Sequence, residues 1–221
     1  MKFSDKSRPC LSLDQFHRTA RVPDGPPLTY GNLQGTHKDR VKRELAQEQD
    51  GLCCYCGRKL RDDFSHIEHY WPQTKFPDIS TSHHNLFVSC GDNQTKGRAN
   101  VTCGEAKDGH YLRIKPRADS LIPSDPDCES RFRYWSNGDV EPTTPDDAEA
   151  QWVIDKTALD TDRMLRSDRS AVLSAFDRYR LKADPNVPFD FEYELEYLKS
   201  GTGRQEEFSQ AKRRLLECSV E

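Results

Sequence analysis

Residues able to do chemistry crowd into positions 53 to 108 of this 221-residue chain. Cys53 and Cys56 can both reach one tetrahedral zinc across a tight turn, and Gly57 suits that knuckle. Two more ligands are needed, and Cys90 and Cys103 are the best candidates. Twelve residues separate this second pair, which reads as an insertion between two ligands that a compact knuckle would hold close together. Cys54 should point away from a site built by its neighbours and reads as packing. The bland alternative is a set of free, buried thiols. The crowding of cysteines and the glycine at Gly104 weigh against it.

A second concentration is His66-Ile67-Glu68-His69-Tyr70-Trp71-Pro72. Glu68 offers a hard oxygen ligand to magnesium or a similar cation. His69, an imidazole with a near-neutral pKa, can take a proton from water without binding the metal. Neighbouring side chains on an extended segment point in opposite directions, so the backbone must twist for both to serve one site. Alone the pair is weak, because a surface histidine beside a surface acid is common. Asn85 opens the apolar run Leu86-Phe87-Val88-Ser89-Cys90 and can brace the segment that carries His69 by bonding its backbone. A simple turn cap explains a lone Asn nearly as well. Asn93-x-x-Lys96-Gly97 and Cys103-Gly104-x-x-Lys107-Asp108 each set a lysine one helical turn beyond a small polar or ligand residue. Such a lysine can meet a phosphate, though a solvated surface is the commoner fate of any single lysine.

The elements that must position these residues follow from pattern. Residues 1–35 are rich in Pro and Gly, with a short helix expected over Ser12–Ala20. A second helix starts at a Thr36 cap, buries Val41 and Leu45 on one face, and ends at Gly51. Residues 53–110 lack periodicity, as expected where metal ligands replace an apolar core. The alternating segment Arg131–Trp135 and the Asn137-Gly138 turn predict a small hairpin. From Thr144 onward the spacing is helical: Leu165, Val172, Phe176 and Tyr179 share a helix capped by Asp160 or Thr161, followed by helices over Phe189–Leu198 and Gln205–Cys218.

The composition is lean, with 34% hydrophobic against 32% charged residues, which predicts much exposed helix surface and a partner covering some of it. A formal net charge of −4 excludes binding to nucleic acid by the whole surface, so any such contact must come from local basic clusters. No run is long and apolar enough for a membrane span, and the polar N-terminus lacks a signal-peptide pattern, so a cytoplasmic location is expected. In a reducing compartment the eight cysteines point to metal rather than disulfides.

The order Cys-x-x-Cys, acid-His-x-x-Pro, Asn-Leu, Cys, Asn-x-x-Lys-Gly resembles the HNH endonuclease superfamily. Gly51–Cys56, His66–His69, Asn85–Cys90, Cys103–Asp108, the Phe132–Pro142 hairpin and Leu159–Asp162 are similar to the PtuB nucleases of Septu-type and retron-linked anti-phage systems. The resemblance implies an α+β fold: a small ββα-metal HNH core at 51–115, an irregular segment and helix at 1–50, and a hairpin and helical region at 116–221 that docks a partner. It implies structural zinc at Cys53, Cys56, Cys90 and Cys103, and a catalytic magnesium or manganese ion at Glu68 and Asn93. His69 would be the general base and Asn85 its brace. In the simplest HNH pattern the last ligand follows the fourth cysteine, where this chain has Gly104, so His66 or Glu105 stands as the alternative to Asn93.

Lys96, Arg98, Lys107, Arg58 and Lys59 flank the motif and would hold the backbone of DNA, or of RNA. Lys38, Arg40, Lys42 and Arg43 share a helix with Glu44 and Glu48 and read as a solvated face. The implied partner is a PtuA-like ATPase of the ABC/SMC type. The competing reading is a non-catalytic zinc module that binds nucleic acid or protein. A zinc hydrolase of small substrates ranks lower, because no open three-ligand zinc site is evident.

Overall fold

The computed structural model describes residues 1–20, 25–91, 101–111, 121–182 and 189–219. It is a mixed α+β chain with two small antiparallel sheets. Helices α1 (Leu11–Ala20) and α2 (Gly35–Glu48) precede the hairpin of β1 (Ser65–His69) and β2 (Leu86–Cys90). The short helix α3 (Cys103–Lys107) follows, then the hairpin of β3 (Phe132–Tyr134) and β4 (Val140–Pro142). The rest is helical: α4 (Ala148–Lys156), α5 (Arg163–Leu181), α6 (Phe191–Lys199), α7 (Gly201–Arg204) and α8 (Ser209–Glu217). Among the described residues no helix is long and apolar enough to cross a membrane.

The register of the first hairpin runs from Ser65 opposite Cys90 to His69 opposite Leu86. Opposed residues share a face. Ile67, Leu86 and Val88 therefore pack on one side, against Leu13 and Phe16 of α1 and Val41 and Leu45 of α2. Phe87 faces the other way and joins a larger core around the cysteine knuckle. Both faces of β2 are covered, which is why all five of its residues are buried despite its length.

The larger core crosses the divisions drawn at residues 50 and 115. It takes in Met1, Cys53 to Cys56, Tyr70, Phe132, Val153, Leu173, Phe208 and Ala211. The backbone ties are direct: Lys2 N–H donates to the Cys54 carbonyl at 2.9 Å and Phe208 N–H to the Gly57 carbonyl at 2.8 Å. The Gln210 amide reaches the Cys56 carbonyl at 3.0 Å. Ligands do not replace an apolar core here; they sit inside one.

Several expected boundaries shift for local reasons. Helix α2 begins at Gly35 rather than after a Thr36 cap, because Gly35 takes a left-handed φ of +55° and Gln34 holds the capping position without a side-chain bond. Asp162, not Asp160 or Thr161, caps α5 by accepting from Leu165 N–H at 2.6 Å. Asp190 caps α6 in the same way, and Gly201 opens α7. The last helix starts at Ser209, not Gln205, since Phe208 adopts φ +58° to dock on Gly57. The second hairpin lies where alternation predicts it, with Gly138 at φ +89° in its turn. A Cβ at Gly138 would come within 2.4 Å of the Arg166 carbonyl, so no other residue fits without backbone movement.

Phe208 is fully buried between α8 and the knuckle. Its truncation should therefore act as a core cavity. Phe208→Ala is expected to lower stability by about 3–5 kcal/mol, read from urea unfolding; a loss below ~1 kcal/mol would show that α8 is not part of the core.

A candidate metal centre beside a polar cleft

The knuckle is a miniature hairpin. Cys53 N–H bonds the Arg58 carbonyl at 2.8 Å, Gly57 N–H bonds the Cys53 carbonyl at 3.0 Å, and Leu52 bridges Lys59. Gly57 turns the chain at φ +78°. Cys90 arrives at the end of β2 and Cys103 at the start of α3. The four sulfurs all lie within 4.8 Å of one another and all four residues are buried. Cys56 Sγ and Cys90 Sγ are 3.8 Å apart, the edge of a sulfur tetrahedron whose zinc–sulfur bonds are ~2.3 Å. Backbone N–H groups of Cys90 and Arg58 point at the sulfurs of Cys53 and Cys56, at 3.4 and 3.5 Å. Burial alone would raise the Cys53 thiol, but hydrogen bonds from the neighbouring sulfurs, Cys103 first, drive it well below its ordinary value. Burial and bonding to Cys53 push Cys103 well above. Sulfurs this close cannot all ionise without a cation at their centre. This donor set is compatible with structural zinc. Cys54 lies outside the cluster, and burial raises its thiol.

Next to this centre a cleft of about 460 Å³ is lined by all five residues of β1. Tyr30 and, from α2, Lys38, Asp39 and Lys42 form one wall; Gly104, Asp108 and Gly109, in and just after α3, form another. Pro72, Gln73 and Thr74 complete it.

On the α3 side, Glu68 Oε1 accepts from Tyr55 Oη at 2.9 Å and pairs with Lys107 Nζ at 2.9 Å. Oε2 lies 3.6 Å from His66 Nε2. His66 and Glu68 are two residues apart on a strand and so share a face. His66 Nδ1 donates to the Gly91 carbonyl at 3.0 Å, which turns Nε2 towards Glu68. Burial opposes a charge on this ring, but Glu68 outweighs it and raises the His66 pKa, so a cation bound here would replace a proton on Nε2. A Cβ placed on Gly104 would stand 2.6 Å from Glu68 Oε2 and 2.8 Å from His66 Nε2. Glycine here leaves open the space between a carboxylate oxygen and an imidazole nitrogen, a donor pair suited to a divalent ion. Burial favours the neutral carboxyl, but Lys107 and His66 outweigh it and hold Glu68 down at about 2.

On the α2 side, His69 is buried with Nε2 2.9 Å from the Ser80 carbonyl. A carbonyl only accepts, so Nε2 carries the proton and Nδ1 is the basic nitrogen of the neutral ring. The Tyr30 ring packs edge-on at 4.5 Å and fixes the imidazole plane. Burial lowers the His69 pKa more than Ser80 and Glu68 raise it, so it falls below its ordinary value of 6.5. Asn85 is buried behind this segment. Its Oδ1 accepts from Trp71 N–H at 2.8 Å while Nδ2 donates to the carbonyls of Trp71 and Ile79 at 3.0 and 3.2 Å.

The structure thus brings together His66, Glu68, His69 and Gly104, with Asn85 bracing the turn. Asn93, Lys96 and Arg98 lie outside the described residues. Glu105 does not line the cleft; its side chain lies over Gly91. Lys107 is no phosphate contact: it is fully buried and its ammonium meets Glu68 and the carbonyls of His69 and Tyr70 at 3.1 and 3.2 Å. Arg58 turns to Asp168 on α5, and neither it nor exposed Lys59 reaches the cleft. The lysines that do reach it, Lys38 and Lys42, are on the helix face that had read as solvated. Lys42 Nζ bonds the Asp62 and Ser65 carbonyls at 2.8 and 2.6 Å, and Lys38 sits 5.1 Å over the Tyr30 ring. Tyr55, Ser80 and Tyr30 contribute to the site without any spacing signal; Tyr55 alone was near one, inside the Cys-x-x-Cys pair.

No protein-family model matches the chain, and no curated protein matches it significantly.

Purified protein should carry zinc in a one-to-one ratio, measured by elemental analysis. Cys103→Ser should lose it and lower Tm, and a strong chelator should do the same to the wild type. A zinc-free native protein with unchanged Tm would refute the metal centre.

Proposed function

We propose that this chain is a metal-dependent HNH-type endonuclease that hydrolyses nucleic-acid phosphodiester bonds, with DNA as the first substrate to test and RNA as the second. The observation that carries the reading is the convergence on one cleft of a proton acceptor, His69, and an ion-binding pair, Glu68 and His66. The small ββα arrangement of β1, β2 and α3 around them supports an HNH core. When bound, magnesium or manganese would stabilise charge on the scissile phosphate and the departing oxygen. The ion would be held by Glu68 Oε2 and His66 Nε2.

The protein groups have separable tasks. His69 Nδ1 takes the proton of the attacking water, while the Ser80 carbonyl holds the ring in the right tautomer. Asn85 keeps the Trp71 backbone, and with it the orientation of His69. Lys38 at the cleft wall offers a cation to the nucleic-acid backbone. Among the described residues the cleft has no evident base-reading element, so selectivity would come from elsewhere. We assign that role to a PtuA-like ABC/SMC-type ATPase, within an anti-phage complex. One observation favours the second reading, a non-catalytic zinc module: Glu68 already has a buried counter-ion in Lys107.

The decisive assay offers DNA and RNA with magnesium or manganese, with and without the ATPase. His69→Ala should retain zinc and lose cleavage by ~10²–10⁴-fold; full activity in that variant removes the nuclease assignment and leaves the zinc module. The pH profile has a definite sign. A general base works when neutral, and both burial and a nearby divalent ion lower its pKa. Cleavage should therefore be level at neutral pH and fall only below 6.5, the ordinary imidazole value. An acid limb centred above that value would exclude His69 as the base.

A further inference from the structure

Lys107 is the least expected group near the cleft. It is fully buried, and its ammonium meets three acceptors: Glu68 Oε1 at 2.9 Å, the His69 carbonyl at 3.1 Å and the Tyr70 carbonyl at 3.2 Å. An ammonium has three protons, so its capacity is filled. It does not line the cleft and meets no solvent. It lies one helical turn after Cys103, so the thiolate centre that pins α3 also pins the lysine.

Two consequences follow for Glu68. Oε1 already receives Lys107 Nζ and Tyr55 Oη, so a cation in the cleft can use only Oε2. Chelation by both oxygens, which larger ions such as calcium favour, is closed. The buried positive charge also repels any divalent ion on the other oxygen, and weak screening inside the protein makes that repulsion large.

We infer that Lys107 is a positioning residue that restricts Glu68 to one-oxygen coordination and holds the affinity of the cleft for divalent cations low. The inference rests on the nuclease reading for the identity of the site. The free protein then keeps Glu68 ordered without an ion, and the ion is retained when substrate phosphate oxygens complete its shell. Magnesium sites commonly work this way, with few protein ligands and the remainder from phosphate and water.

The test is manganese binding to zinc-loaded protein without nucleic acid, followed by the paramagnetic resonance of free Mn²⁺. Lys107→Met and Lys107→Gln both remove the charge, and the second keeps a donor for Glu68 or the His69 carbonyl. Each variant that retains zinc should bind Mn²⁺ at least ~10-fold more tightly than wild type. Adding Glu68→Gln should abolish the gain. Mn²⁺ should also raise Tm more in the variants than in wild type. A zinc-loaded variant with unchanged or weaker Mn²⁺ binding overturns the inference while leaving the nuclease reading intact. No Mn²⁺ binding by any form also overturns the inference, while the nuclease reading falls only with loss of cleavage in the nucleic-acid assay. If neither variant retains zinc, the wild-type titration decides: half-saturation near ~1 mM supports the inference, and near ~10 µM overturns it.

Discussion

Convergence of four sulfurs on one point is the constraint on which the rest of the structure depends. The ligands come from three places: the knuckle, the end of β2 and the start of α3. Helix α3 has only five residues and could not persist by its own propensity. Cys103 fastens its first residue, at a left-handed φ of +59° that the attachment imposes. Its N–H bonds the Thr157 carbonyl at 2.8 Å, and the next N–H, of Gly104, bonds Ser89 Oγ at 2.9 Å. Everything α3 gives to the cleft hangs from that point: the bare Gly104 backbone against Glu68 and the buried Lys107 beneath it. The four-cysteine cluster thus sets the electrostatics of the neighbouring cleft.

The hairpin solves the geometric problem that adjacent Glu68 and His69 pose. They do point to opposite faces of β1, one towards α3 and the other towards Tyr30. Neither has to twist round to meet the other, because the cleft runs along the strand edge not occupied by β2. An edge is seen from both faces at once. Burial on both sides of β2 holds that edge still: apolar packing from α1 and α2 on one face, the knuckle core on the other. Edge strands are usually a hazard for unwanted pairing. Here the walls from α2 and α3 narrow the approach to the edge, and its polar side chains fill it.

What the sequence revealed and what it hid divide along one physical line. Local spacing encodes local geometry. Cys53 and Cys56, the opposite directions of adjacent Glu68 and His69, and the turn at Gly138 were legible because a few residues of backbone set each of them. The four-cysteine set could be read because thiolates crowded in sequence have few uses. Partners set by tertiary approach were not legible. Lys107 looked like a surface lysine, and only the placement of α3 buries it. Arg58 looked like a phosphate contact, and only α5 supplies Asp168. Phe208 and Gln210 belong to a charged terminal helix whose composition gives no hint that it lies on the knuckle. Gly104 looked like a lost ligand, whereas the structure uses its missing side chain as space. Asn93, which the family resemblance implies as the next ligand of the cleft, falls outside the described residues.

Charge balance explains why this core can hold so many cations. Arg169 is almost wholly buried, yet among the described residues its guanidinium bonds the carbonyls of Gly138 and Leu159 and forms no ion pair with a carboxylate. Burial lowers its pKa, and nearby Tyr134, Cys56 and Asp160 oppose that loss. Arg58 beside the knuckle is raised by the same sulfurs against the pull of burial. A zinc ion bound by four thiolates would leave a net double negative charge in the middle of the core. That charge favours every buried cation around it, and each cation in turn favours ionised sulfur. Metal, arginines and fold would therefore be coupled: a change that empties the centre would also remove a field that stabilises the buried charge of Arg169 beneath the second hairpin. The same reasoning sets Lys107 apart. Among the described residues its counter-charge is Glu68, at 2.9 Å, so its balance depends on a residue of the cleft.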